Sequence, residues 1–189
     1  MKKILIIVDM QNDFIFQDYA LGSAEAERAY AALRGFLGAP ASNGRYDHVV
    51  FTRDTHFPYY ANTAEGRKLP VPHCIKDTQG WHIPDGLYEV ACYHSFPGLV
   101  PTLVDKYTFG SINLPDVLAD LIKDEQDEEC IFEFCGLCTD ICVVSNVLMT
   151  KAHFPEVQIR VIEEFCAGVT PESHAAAIAT MKSCQIDII

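Results

Sequence analysis

The chain has little positive charge and no long apolar run. Its 14 Lys and Arg stand against 26 Asp and Glu, for a formal net charge of -12. Phosphate backbones are bound by clustered Lys and Arg, so no nucleic-acid partner is expected. No stretch approaches the ~20 apolar residues that span a bilayer, so no membrane partner is expected either. The basic pair Lys2-Lys3 precedes a short apolar run that Asp9 ends, too short for a signal-peptide core, and the expected location is cytoplasmic. The turn after that run lacks Gly-x-Gly-x-x-Gly, which excludes a dinucleotide fingerprint there. Repeats, low-complexity tracts and interdomain linkers are also missing, and the 189 residues are expected to form one domain.

What is present is an alternation of short apolar runs with amphipathic stretches. Residues 3–8, 48–52, 103–105, 130–134, 157–162 and 185–188 read as strands, the first two as buried ones and the first of them rich in Ile and Val. Helices are expected over 24–36, capped by Ser23, over 114–123 with Pro115 in its first turn, over 140–152, and from Thr170-Pro171 to about 182. Strands alternating with helices predict an α/β fold whose mainly parallel sheet is covered on both faces. Residues 53–101 break the rhythm: they hold six of the ten prolines and four of the seven histidines. A long irregular segment in a compact domain is usually functional or disordered, and Trp81 with several tyrosines argues against disorder.

Ligands bind parallel sheets at the carboxyl ends of the strands. Asp9, Asp54 and the 135–142 segment each follow a predicted strand. Asp9 is either a carboxylate satisfying turn amides or a partly buried general base. In Cys135-Gly136-Leu137-Cys138-Thr139-Asp140-Ile141-Cys142, Cys142 falls in the first helical turn, where the helix dipole favours thiolate. Cys130, Cys166 and Cys184 read as buried space-filling thiols. Cys135 and Cys138 have Cys-x-x-Cys spacing, but no second pair matches it, so a metal cluster there ranks low. Lys106 alone reads as a surface group; beside a carboxylate and a thiol it would lower the thiol pKa. Asp54 and His56, two residues apart at a strand end, can reach one divalent ion, with His73 completing a facial set and Glu65 contributing directly or through water. His48, His94 and His153 read as ordinary polar residues; His82 and His174 stay open.

Together these segments resemble the isochorismatase-like cysteine hydrolases, in their nicotinamidase/pyrazinamidase branch. Four blocks stand in family order: Asp9-Met10-Gln11-Asn12-Asp13-Phe14, Thr52-Arg53-Asp54-Thr55-His56, the lysine after a short strand, and Gly136-Leu137-Cys138-Thr139-Asp140-Ile141-Cys142-Val143. The resemblance covers essentially the whole chain. It implies a three-layer α/β/α fold with a six-stranded, mainly parallel sheet, and a long metal and substrate loop over about 53–101. It also implies catalysis by Asp9, Lys106 and Cys142, a cis Leu137–Cys138 peptide, and an oxyanion hole from the amides of Cys138 and Cys142. The metal set it implies is Asp54, His56 and His73, with Glu65 resembling the extra ligand of some members, and the implied ion is divalent: zinc, or iron or manganese. Family members are often oligomeric, so a homo-oligomer is expected.

The implied activity is hydrolysis of a small-molecule amide, nicotinamide to nicotinate and ammonia, through a thioester on Cys142. Related hydrolases act on N-carbamoyl, ureidoacrylate or isochorismate-type substrates. A different class, a non-catalytic metal- or redox-sensing thiol protein, would use Cys135 and Cys138 instead. Two departures bear on substrate. Asp77 stands where the family often has Gly, and Leu69-Pro70-Val71 stands where an aromatic ring commonly precedes the Pro-His pair. Phe14, Tyr107, Phe109 or Trp81 is left to supply the stacking surface.

Overall fold

The apolar run at residues 4–8 is fully buried because it lies at the centre of a sheet with neighbours on both sides. The computed structural model describes residues 1–42, 44–93 and 100–189. In chain order its elements are β1 (Lys2–Val8), α1 (Asn12–Ile15), α2 (Ala24–Gly38), β2 (His48–Asp54), α3 (Asp85–Tyr93) and β3 (Thr102–Lys106). There follow α4 (Leu114–Ile122), β4 (Cys130–Leu137), α5 (Val144–His153), β5 (Gln158–Ala167), α6 (Pro171–Ser183) and β6 (Asp187–Ile188). The strands lie in the order β3-β2-β1-β4-β5-β6, and all five pairings are parallel.

Helices flank this sheet. α2 packs with α1 and α3, and α5 packs with α4 and α6, giving the expected α/β/α layering. α2 turns Ala26, Ala29, Leu33 and Leu37 inward at helical spacing, and its Ser23 cap accepts from the Ala26 amide at 3.1 Å. Thr170 and Ser173 close a capping box ahead of α6. Among the described residues no helix is long and apolar enough to cross a membrane.

Several boundaries differ from expectation. β3 extends to Lys106, so the lysine ends the strand itself, and β4 extends to Leu137. The helix expected from Asp140 opens as a π-helical turn, Thr139–Val143, and becomes α-helical only at Val144. The irregular segment contains α3, whose Leu87 and Ala91 are buried one turn apart. Cys184 is exposed rather than buried, whereas Cys130 and Cys166 are buried as expected. His94 lies outside the described residues.

Because β1 pairs with β2 on one side and β4 on the other, the chain changes direction between β1 and β4. Such switch points leave a crevice at the carboxyl ends of the strands. Gly136 makes the approach there possible. It has φ +124°, and a Cβ on it would lie 2.0 Å from the Val8 carbonyl oxygen. The following Leu137–Cys138 peptide is cis, as the resemblance implied.

Candidate active site

Four strands deliver their last residues, or the next ones, to this crevice. Asp9 follows β1, Asp54 ends β2, Lys106 ends β3, and Cys142 sits in the π-helical turn after β4. All four are buried. The Lys106 ammonium is the hub: Nζ lies 2.7 Å from Asp9 Oδ2, 3.1 Å from Asp54 Oδ1 and 3.5 Å from Cys142 Sγ. It also donates to the Thr108 carbonyl at 3.2 Å.

Asp9 is fixed from the far side by Thr52, whose hydroxyl donates to Oδ1 at 2.7 Å. Its own φ of +48° turns the chain sharply out of β1, a conformation uncommon for a residue with a side chain. Burial and the Asp54 charge raise the Asp9 carboxyl pKa, while Lys106 and Thr52 hold it down, and the balance is upward. Lys106 stays charged: its three acidic neighbours outweigh burial and carry its pKa up. The Cys142 thiol goes up rather than down, against the expectation that Lys106 and the helix would favour thiolate. Burial raises it first, then Asp9 and Asp54; Lys106 pulls the other way and is outweighed. In this arrangement Cys142 is therefore held as a thiol, with the Lys106 ammonium between it and Asp9.

Next to this triad lie Asp54, His56 and His73. Among the described residues they are the one group of three or more His, Cys, Asp or Glu able to hold a metal, their ligand atoms lying within 4.8 Å of one another. His56 Nε2 is 2.9 Å from Asp54 Oδ2, and His73 Nε2 is 3.6 Å from the same oxygen. Glu65 Oε1 approaches both imidazoles, at 3.6 and 3.5 Å. Despite that short approach to Asp54, buried His56 Nε2 makes no well-aligned hydrogen bond. His73 Nδ1 lies 2.8 Å from the Val71 carbonyl, which makes it the protonated nitrogen and leaves Nε2 as a ligand. Converging lone pairs on a buried acid and two imidazoles fit a divalent cation. With no cation, burial lowers the His73 pKa, but bonds to Asp54, Glu65 and Val71 carry it up to about 9. Asp54 is held well below the carboxylate range, its burial outweighed by the two histidines and Lys106. Among the described residues the cysteines contribute no such group.

The structure also supplies residues that the sequence left silent. The Gln11 side chain clamps Asp54 by its main chain, accepting from its N–H at 2.7 Å and donating to its carbonyl at 2.9 Å. Asp13 accepts from the Cys74 amide, next to His73, at 2.6 Å. Tyr60 sets its ring edge-on to both His56 and His73, at 4.7 and 5.1 Å, and its hydroxyl donates to the Leu69 carbonyl at 2.9 Å. His174 Nδ1 lies 2.9 Å from Thr139 Oγ1, at the start of the π-helical turn that holds Cys142, while His82 is exposed. The quoted Asp9 to Phe14 block was the available signal for Gln11 and Asp13. Nothing marked Tyr60.

Of the aromatic candidates, Phe14 is buried with its ring 5.4 Å from that of His73. Tyr107 and Phe109 are exposed on the loop after Lys106, and Tyr107 stacks on Phe57 at 5.9 Å. Trp81 is buried, donates to Thr55 Oγ1 at 2.9 Å, and has one face covered by the Arg53 guanidinium at 3.8 Å. That places Trp81 as a brace for the end of β2.

Comparison with known proteins follows this geometry. A model of the isochorismatase domain matches residues 3–189. The nicotinamidase of Schizosaccharomyces pombe is 26% identical, the alignment covering 98% of this chain and 91% of that protein. The nicotinamidase/pyrazinamidase of Mycobacterium tuberculosis is 27% identical over 99% and 98%. The crystal structure of a nicotinamidase from Bacillus subtilis superposes with a TM-score of 0.77 at 25% identity, covering 100% of this chain and 99% of that one.

Proposed function

The chain belongs to the isochorismatase family, and on that premise we propose that it is a nicotinamidase, hydrolysing nicotinamide to nicotinate and ammonia. One observation carries the reading: a single buried ammonium touches a carboxylate, a thiol and the carboxylate of a metal-competent group at 2.7, 3.5 and 3.1 Å. Curated relatives of that activity align over nearly the whole chain.

We infer the following roles. Asp9 removes the Cys142 proton as the sulfur attacks the carboxamide carbon, so the thiolate exists only as it reacts. The oxyanion that forms is held by the amides of Cys138 and Cys142. Asp9 returns the proton to the departing nitrogen, ammonia leaves, and a thioester remains. Water, deprotonated by Asp9, then releases nicotinate and restores the thiol. Lys106 remains charged throughout and offsets the negative charge on Asp9 and sulfur.

Asp54, His56, His73 and Glu65 would hold the cation, which when bound supplies a Lewis-acid anchor for the pyridine nitrogen. Imidazole and carboxylate ligands suit zinc, with iron or manganese distinguished by metal analysis. Phe14 supplies an apolar wall beside His73, and Tyr107 and Phe109 stand on the loop bordering Cys142.

The test is ammonia release from nicotinamide by the metal-loaded protein. Cys142→Ala is expected to abolish it, with a stoichiometric acyl-enzyme detectable by mass in the parent protein. Release that survives Cys142→Ala would refute the covalent scheme.

A further inference from the structure

Asn146 takes no part in the chemistry above, yet it is buried on α5, one turn beyond the nucleophile. Its side-chain amide makes three hydrogen bonds to two separate pieces of backbone. Nδ2 donates to the Cys142 carbonyl at 2.8 Å and to the Phe109 carbonyl at 3.2 Å. Oδ1 accepts from the Ser111 amide at 2.9 Å. The loop after Lys106 is thereby tied to the turn that bears the reactive sulfur.

A second observation reports the same closeness. A Cβ on Gly110 would lie 2.3 Å from Met149 Sδ and 3.3 Å from Ser145 Cβ, so the loop lies flat on the α5 face on which Asn146 sits. The loop also returns to the catalytic amine, because the Lys106 ammonium donates to the Thr108 carbonyl, one residue before Phe109. The path from the amine to the sulfur therefore runs through Thr108, Phe109, Asn146 and the Cys142 carbonyl, with hydrogen bonds at both joints. Apart from the Lys106 ammonium itself, no other residue makes a hydrogen bond to both segments among the described bonds.

We propose that Asn146 is a positioning residue that sets the distance between the Lys106 amine and the Cys142 sulfur by pinning residues 108–111 to the nucleophile turn. The inference deepens the hydrolase reading and rests on Lys106 and Cys142 being its catalytic pair. Only a side chain that both donates and accepts can satisfy this site, since two carbonyls and one amide face it. Asn146→Asp keeps the acceptor for Ser111 and replaces both donor bonds by repulsion. Asn146→Ala removes all three.

Misplacement of reacting groups by about 1 Å can lower rates about 100-fold. Both variants are accordingly expected to lose about 10- to 100-fold in kcat while KM changes far less. The companion measurement needs no substrate. Iodoacetamide labelling of the metal-loaded protein at neutral pH, read by peptide mass spectrometry, follows Cys142 against exposed Cys184 as internal reference. Labelling of Cys142 is expected to slow several-fold in both variants, as Lys106 withdraws from the sulfur. Val147→Ala, a core truncation on the same helix whose side chain makes no hydrogen bond to either segment, controls for lost stability and is expected to leave both readouts unchanged. Asn146 variants that only melt earlier, as Val147→Ala does, with parental kcat and labelling, would overturn the proposal. Should the parent protein fail to hydrolyse nicotinamide, the substrate reading falls, and the labelling comparison still decides the role of Asn146.

Discussion

Lys106 is a fully buried ammonium, and that is tolerable only because two carboxylates and a sulfur surround it. Removing one member of a buried charge pair leaves the other without compensation, at about 3–5 kcal/mol. Lys106→Met should therefore unfold at lower urea than the parent by roughly that amount, besides losing activity. The loss should also acquire a pH dependence of definite sign. The Asp9 carboxyl already titrates above its unfolded value because of burial, so the folded state binds that proton the more tightly. Such a group weakens the fold at neutral pH, and the penalty is relieved as pH falls through its folded-state pKa. Without the ammonium the shift grows, so the Lys106→Met melting temperature should climb as pH is lowered from 7 toward about 5. A melting temperature that falls over that window would mean Asp9 is not the uncompensated charge. Asp9→Asn separates chemistry from charge balance: it removes the base while leaving Asp54 beside the ammonium. Its kcat/KM should fall by about 10²- to 10⁴-fold, the usual contribution of a positioned general base.

At the level of elements, β4 and the turn that follows it place the sulfur, and Gly136 is the hinge of that placement. Its φ of +124° and its contact with the Val8 carbonyl leave no room for a side chain. Gly136→Ala combines backbone strain with overpacking against main chain, together roughly 3–5 kcal/mol. Chemical denaturation should show that loss, and any folded fraction should have lost Cys142 reactivity, because β4 must move away from β1. Buried parallel strands read as continuous apolar runs, so β1 and β2 were legible in the sequence, and Asp9 and Asp54 with them as the first carboxylates at their ends. The same logic missed that Lys106 is part of β3, because only Val104 in that short strand is a buried apolar residue. α3 was illegible for a related reason: nine residues with Gly86 near the start give helical periodicity little room. Tyr60 and Asn146 left no pattern at all, and Gln11 was marked only by the block that contains it. Their partners are backbone atoms or rings brought near by the fold, Gln11 and the Asp54 carbonyl being 43 residues apart. Trp81 was legible as important and misplaced in role, since only coordinates reveal Arg53 lying on its face.

For the molecule as a whole, the site and the sheet are one construction. Asp54 ends β2, His56 pairs with Ile75 as an isolated bridge beyond it, and Asp9 and Lys106 come from the neighbouring strands. A cation held by Asp54, His56 and His73 would tie that loop to the sheet, and such a group does not exist in the unfolded chain. Mass action then requires the cation to stabilise the fold, by about 2.7 kcal/mol at a hundredfold excess over Kd. For a domain of this size that corresponds to roughly 5–10 °C in melting temperature. The choice of cation matters, because the unfolded chain exposes eight free cysteines, and zinc bound to those thiolates would diminish the shift. Manganese, which prefers oxygen ligands such as carboxylate to thiolate, is the cleaner probe. Calorimetry should record the rise with manganese in the parent protein and in Cys142→Ala, and no rise in His73→Ala or Asp54→Ala. If the shift were instead lost with Cys138→Ser and kept with His73→Ala, the cation would be held by thiols. The pairing of Asp54 with two imidazoles would then have to be read as an ordinary buried ion pair.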